Sequence, residues 1–254
     1  MKDSSSISSK IASLISVGLV FVLIFVISNS KNDPQIYPSL NVIANKLIDN
    51  ITNIGTIKIF LLTIIRVFLA LVASLITSFV ISLLYYYNKL TMDFLKPILA
   101  IMKAAPLAAI AIYIFLVVRG EVGKPLQPYL VTYLVTLPII LEGFIGSIDN
   151  MPDSIINELK ITKGTKFYKY IKVYFPLMIP NIIITLLQTI GLGFKVMIMA
   201  EYLCYTKSSV GVLIYNAYSV LDMAQLIAVI IEIVIIVLVG EFVIKQIKKK
   251  IHTY

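Results

Sequence analysis

From Asp149 to Val173 the chain reads DNMPDSIINELKITKGTKFYKYIKV, a polar, lysine-studded segment set between apolar runs each long enough to cross a bilayer. Inside it, a short helix carrying Glu158 is expected to stop at Gly164, where no Cβ restricts the backbone. A second, amphipathic helix is expected to pass through Phe167, Ile171 and Tyr174. Two helices meeting at such an elbow fit a groove in a soluble partner. A plain basic loop obeying membrane topology is the simpler alternative.

The rest of the chain sets this segment in a membrane. Its 254 residues are 59% hydrophobic and 14% charged, with a mean hydropathy of +0.95, well beyond the make-up of soluble domains. Apolar runs at 11–28, 58–86, 97–118, 129–148, 180–204 and 223–244 predict six spanning helices in one domain covering 1–254. The fold class is therefore all-α and polytopic, with a cytoplasmic loop at 149–175. The first run reads as a retained span, because Ser28-Asn29-Ser30-Lys31 is a poor cleavage site for a signal peptide. Leu40, Ile43, Leu47 and Ile51 recur at helical spacing and suggest a helix lying on the outer surface. Tyr85-Tyr86-Tyr87 forms an interfacial anchor, and Pro106 and Pro138 are expected to kink the runs that contain them.

The net charge of +9 gathers beside apolar runs: Lys160, Lys163, Lys166, Lys169 and Lys172 in one loop, and four lysines in the tail. By the positive-inside rule this places both termini in the cytoplasm, with a secondary attraction to anionic lipid and no role for nucleic acid. A single exposed lysine of that loop, such as Lys169, is expected to contribute little by itself.

Cys204 is the only cysteine and His252 the only histidine. No metal site and no nucleophile with a histidine base can be assembled from them, so no catalytic residue and no metal ligand is assigned. No G-x-x-x-x-G-K-[ST] string occurs, so ATP, if it drives this protein, is bound by another chain.

The segment Glu158-Leu159-Lys160 with Gly164 and then Pro176 resembles the cytoplasmic coupling motif of bacterial ATP-binding-cassette (ABC) importer permeases, with Lys160 where that family carries a small Ala. Thr63-Ile64-Ile65-Arg66-Val67, Lys96-Pro97, Met102-Lys103-Ala104-Ala105-Pro106, Gly191-Leu192-Gly193-Phe194-Lys195-Val196, Ala200-Glu201-Tyr202-Leu203 and Val210-Gly211 are similar to the subfamily serving nitrate, sulfonates, taurine and pyrimidine vitamin precursors. The resemblance implies a non-catalytic permease of the bacterial cell membrane, a second permease copy, ATP-binding-cassette ATPase subunits that hold the ATP, and an extracytoplasmic substrate-binding protein. Its cargo would be a small polar or anionic solute. Glu158, Lys160, Gly164, Phe167, Ile171 and Pro176 would form the loop that meets the ATPase.

Ionisable groups inside spans are costly and are candidates for the translocation path: Arg66, Lys103, Glu142, Lys195, Glu201 and Glu232. Arg66 and Glu201 fall near the same end of their spans and can pair. Lys195 and Glu201 are about 120° apart around a helix and cannot; Glu142 or Glu232 is the expected partner of Lys195. Packing pairs between spans would account for all of these equally. Gly191 and Gly193 suit close helix approach, with lining a pathway as the alternative. Two other functions compete: a secondary transporter using the intramembrane Glu and Lys as a proton relay, and a membrane enzyme or assembly factor. The docking-type loop and the lack of inverted repeats weigh against the first. The lack of any convergent His, Cys or carboxylate cluster weighs against the second.

Overall fold

The computed structural model describes residues 36–120 and 123–251, and the regular structure among them is entirely helical. The helices are α1 (Leu40–Thr52), α2 (Ile54–Tyr87), α3 (Leu90–Ala104), α4 (Leu107–Val117), α5 (Gly123–Asp149), α6 (Asp153–Ile161) and α7 (Lys166–Lys169). A π-helical turn (Tyr170–Tyr174) leads into α8 (Phe175–Leu203), followed by α9 (Val210–Ser219) and α10 (Met223–Ile251). Among the described residues, four helices are long and apolar enough to span a membrane: Ile54–Tyr87, Gly123–Asp149, Lys166–Leu203 and Met223–Ile244. The run at 11–28 lies outside the described residues.

Two expectations need correction. The run at 97–118 kinks at Pro106 as expected, but by as much as 100° between α3 and α4, so it is not one straight span. Pro106 cannot donate a backbone hydrogen bond, and its ring drives Ala105 into extended geometry (ψ 131°). Pro138, by contrast, sits within an unbroken α5. The difference lies in the surroundings: α5 buries twelve residues that hold the helix through its proline, whereas α4 buries only Ala111. The second correction concerns the fifth span, whose helix starts at Lys166 rather than at 180. The π turn absorbs the register change ahead of Pro176, with the Phe175 N–H reaching back to Tyr170 O, so both Pro176 and Pro180 ride inside a continuous helix.

The chain divides into two compact units. In the larger, residues 58–213 and 233–251 among those described, Val67, Leu71, Ile140, Leu141, Phe144, Met178 and Met197 form the core. α5 and α8 approach so closely that a Cβ on Gly143 would overlap the Thr185 side chain, 2.8 Å from its Cγ2. That position therefore has to be glycine. In the smaller unit, residues 36–57 and 214–232, Lys46 Nζ donates to Asp222 Oδ2 at 2.7 Å, Asn50 Nδ2 to Glu232 Oε2 at 3.3 Å, and Gln225 Nε2 to Asn50 Oδ1 at 2.9 Å. Ile43 and Asn50 are buried, while Leu40 and Ile51 are 40% and 65% exposed. Asp222 also caps α10 through the Gln225 N–H. Burial pushes its carboxyl up, but the Lys46 and Gln225 hydrogen bonds and the Lys46 charge outweigh this and hold it below the usual aspartate range.

Candidate functional site

α6 begins after Pro152, with Asp153 in its first turn where a negative charge suits the helix dipole. It ends where Thr162 folds both its N–H and its Oγ1 onto Glu158 O, at 3.0 and 2.7 Å. Gly164 then adopts φ +139°, a region that side chains rarely enter. Thr165 restarts the helix by accepting from the Tyr168 N–H at 3.2 Å. Leu159 alone of α6 is buried and pins the helix to the core. Lys169 Nζ donates to Leu159 O at 2.6 Å across the elbow. Lys169 is therefore half-buried and bonded, which corrects its reading as a dispensable surface charge.

Glu158, Lys160, Gly164, Phe167 and Pro176 face solvent, while Ile171 is half-buried against the core. Ile161 is 84% exposed and Tyr168 56%. The elbow so presents apolar side chains ringed by lysines, the pattern of a surface that meets another protein. Beneath it lies Tyr170, fully buried, with its Oη 2.7 Å from Ser82 Oγ and its ring 5.5 Å from that of Tyr86. Tyr86 in turn stands 4.7 Å from the Tyr174 ring. This contact between the elbow and α2 is the feature that sequence reading missed. The Tyr85-Tyr86-Tyr87 run was its only trace, and it read as an interfacial anchor instead.

The intramembrane charges separate into distinct settings. Glu201 is fully buried and accepts four bonds: from Arg66 Nη1 at 2.8 Å, from Thr63 Oγ1 at 3.0 Å to each oxygen, and from the Gly211 N–H at 3.3 Å. Arg66 also donates to Ser208 O at 3.2 Å and Lys207 O at 3.3 Å, and Thr63 Oγ1 accepts the Val210 N–H at 3.2 Å. One carboxylate thus ties α2, the end of α8, the following loop and the start of α9 together. Gly211 makes the approach possible, since a Cβ there would meet the Tyr202 backbone nitrogen and lie 2.6 Å from Glu201 Cβ. Ser209 caps α9 by accepting the Val212 N–H at 3.2 Å. Beside this knot, Arg66, Lys124 and Lys207 line a cavity of about 630 Å³ whose wall includes Cys204.

Lys103 Nζ donates to Glu142 Oε1 at 2.7 Å, with both side chains about half exposed. Glu232 is buried with Asn50. Neither carboxylate therefore neutralises Lys195 as expected: each is taken by a nearer donor, and Lys195 is exposed with no ion-pair or hydrogen-bond partner among the described residues. Gly193 faces Val67 and Leu71 of α2, whose side chains a Cβ would meet at 3.5 Å and beyond, and Gly191 faces Val237 and Glu241. Among the described residues no cluster of His, Cys, Asp and Glu could hold a metal ion.

The family model described as binding-protein-dependent transport system inner membrane component matches residues 74–253. No curated protein sequence matches the chain. Among solved structures, the MetNI methionine ABC transporter in inward-facing conformations superposes with a TM-score of 0.64 over 87% of this chain and 99% of that one, at 13% identity. At that identity the likeness concerns the fold.

Proposed function

Because the chain belongs to the family of binding-protein-dependent transport inner membrane components and is the permease component of an ABC importer, we propose that the elbow at 153–169 docks a partner ATPase and that two copies of the chain enclose a path for a small polar or anionic solute. The partner subunits bind and hydrolyse ATP, an extracytoplasmic binding protein delivers the solute, and this chain is not an enzyme. Glu158, Lys160 and Phe167 meet the ATPase, Gly164 sets the angle between the two arms, and Ile171 and Pro176 carry the movement into α8. In this reading the elbow and both termini are cytoplasmic, and ATP-driven closure of the ATPase pair changes which side of the path is open.

A single observation carries the proposal: an elbow of fixed geometry, held by Gly164 at φ +139° and by Lys169 on Leu159 O, that leaves Ile161 84% exposed. Gly164→Val should strain the turn through its backbone alone, since the nearest atom to a Cβ there, Tyr168 Cδ1, is an ordinary 3.4 Å away. Co-purification of the ATPase with Gly164→Val and Glu158→Arg, followed by uptake in whole cells, tests the reading. Both variants should insert normally and lose the partner, while the exposed control Lys163→Gln keeps it. Wild-type partner binding and uptake in both elbow variants would reduce the segment to a basic loop. Proton flux through the chain alone in liposomes would favour the secondary transporter.

A further inference from the structure

Exposed positions on a spanning helix report what the helix faces. Between residues 61 and 84 every exposed side chain of α2 is apolar: Leu61, Ile65, Phe68, Leu69, Ala73, Ile76, Val80 and Leu84. That is a surface for hydrocarbon. On α8 the exposed residues from 181 to 199 are Asn181, Ile184, Gln188, Lys195 and Met199, three of them polar or charged. Asn181, Gln188 and Lys195 recur every seven residues, which keeps them on one face with a drift of about 20° per step. Gln188 and Lys195 have no hydrogen-bond partner among the described residues. The face continues sideways onto α5, because Asn181 Nδ2 donates to Gly143 O at 3.1 Å and Ser147 Oγ at 2.7 Å. The residue before Gly143 is Glu142, paired in the open with Lys103 of α3.

Lipid against this face would leave an ammonium and an amide in hydrocarbon. A dry protein interface would bury them unpaired, which is also costly. Water meets neither objection. Charge then decides what the water carries. Lys103 and Glu142 cancel, Glu241 near Gly191 has an interaction of its own, and Lys195 is the charged member of the Asn181–Gln188–Lys195 face.

We propose that the Asn181–Gln188–Lys195 face of α8, continued by the Lys103–Glu142 pair, is the water-filled wall of the solute path, and that Lys195 makes this path select anionic solutes. The inference rests on the importer reading and narrows its substrate class. It applies to residues of which Asn181 and Gln188 carry no sequence motif.

The test uses full-length chain co-expressed with its ATPase in membrane vesicles, with Cys204→Ser as background. Gln188→Cys and, as the lipid-facing control, Ile76→Cys are treated with two thiosulfonate reagents, one bearing a sulfonate and one a trimethylammonium. Gln188→Cys should react at least about tenfold faster than Ile76→Cys, since only a hydrated thiol ionises, and should prefer the anionic reagent. Lys195 lies about 10 Å along the helix from Gln188. In a water-like dielectric its neutralisation in Lys195→Gln should lower that preference by up to about fourfold at low ionic strength. Lys195→Arg should preserve it. If Gln188→Cys is as inert as Ile76→Cys, the wall is not wet and the proposal fails. A reagent preference that Lys195→Gln leaves unchanged overturns the assignment of selectivity. Co-purification of the ATPase from the same vesicles separates either failure from a failure of the importer reading.

Discussion

Replacing Glu201 with Ala removes the acceptor of four bonds in the knot and leaves the Arg66 guanidinium, whose side chain is 13% exposed, without its counter-charge. Thr63 Oγ1 and the Gly211 N–H lose their acceptor in the same step. Removing one partner of a buried ion pair costs about 3–5 kcal/mol, because the survivor stays desolvated. At about 2–4 °C per kcal/mol for a chain of this size, the thermal midpoint should fall by roughly 6–20 °C. The protein supplies its own reporter: Cys204, its sole cysteine, is 8% exposed beside the knot, so a thiol-reactive dye reads unfolding directly in detergent. Glu201→Gln keeps the shape and should fall less. Arg66→Met/Glu201→Met, which strands no charge, should be less damaged than Glu201→Ala. The reasoning is refuted if Glu201→Ala melts within about 1 °C of wild type, or if the Arg66→Met and Glu201→Met losses simply add in the double variant.

Gly211→Ala should destabilise by about 1–3 kcal/mol in the same melt, because the atoms that its Cβ would strike include backbone, which cannot swing aside. Cys204, 8% exposed, should resist alkylation in the folded protein at pH 8 because burial keeps the reagent from its thiol; mass spectrometry before and after heating checks this. The Asp222 carboxyl is held low, so its contribution is fully present above the unfolded aspartate value and is lost as pH falls through the folded one. The gap in midpoint between wild type and Asp222→Asn should therefore hold from neutral pH to about pH 4 and close below it. For topology, cysteines replacing Asn45 and Lys207 in a Cys204→Ser background should label from outside intact cells and one replacing Thr165 should not. Lys207 serves as the outer probe because it is exposed in the loop after α8.

Hydropathy located the long helices, since a run such as 58–86 has one structural solution in a bilayer. The nearness of Arg66 and Glu201 was legible for a related reason: a buried carboxylate needs a cation, and the assigned depths matched. What escaped the sequence were choices among equivalent partners. Glu142 was expected opposite Lys195, and only the packing of α3 on α5 gives it Lys103. Likewise Pro106 and Pro138 look alike in the sequence, yet one ends a helix and the other does not, because the neighbours decide whether the lost hydrogen bond can be borne. Lys169 read as one charge among five. Its bond to Leu159 O depends on where the Gly164 turn brings the two arms.

The unbroken helix from Lys166 to Leu203 has a mechanical consequence. Its first turns belong to the elbow and its last to the Glu201 knot, so the two ends are joined by a single rod of about 55 Å. A tilt of about 5° at one end displaces the other by nearly 5 Å over that length. No loop lies between them in sequence to relay anything, for the chain has built the lever in one piece.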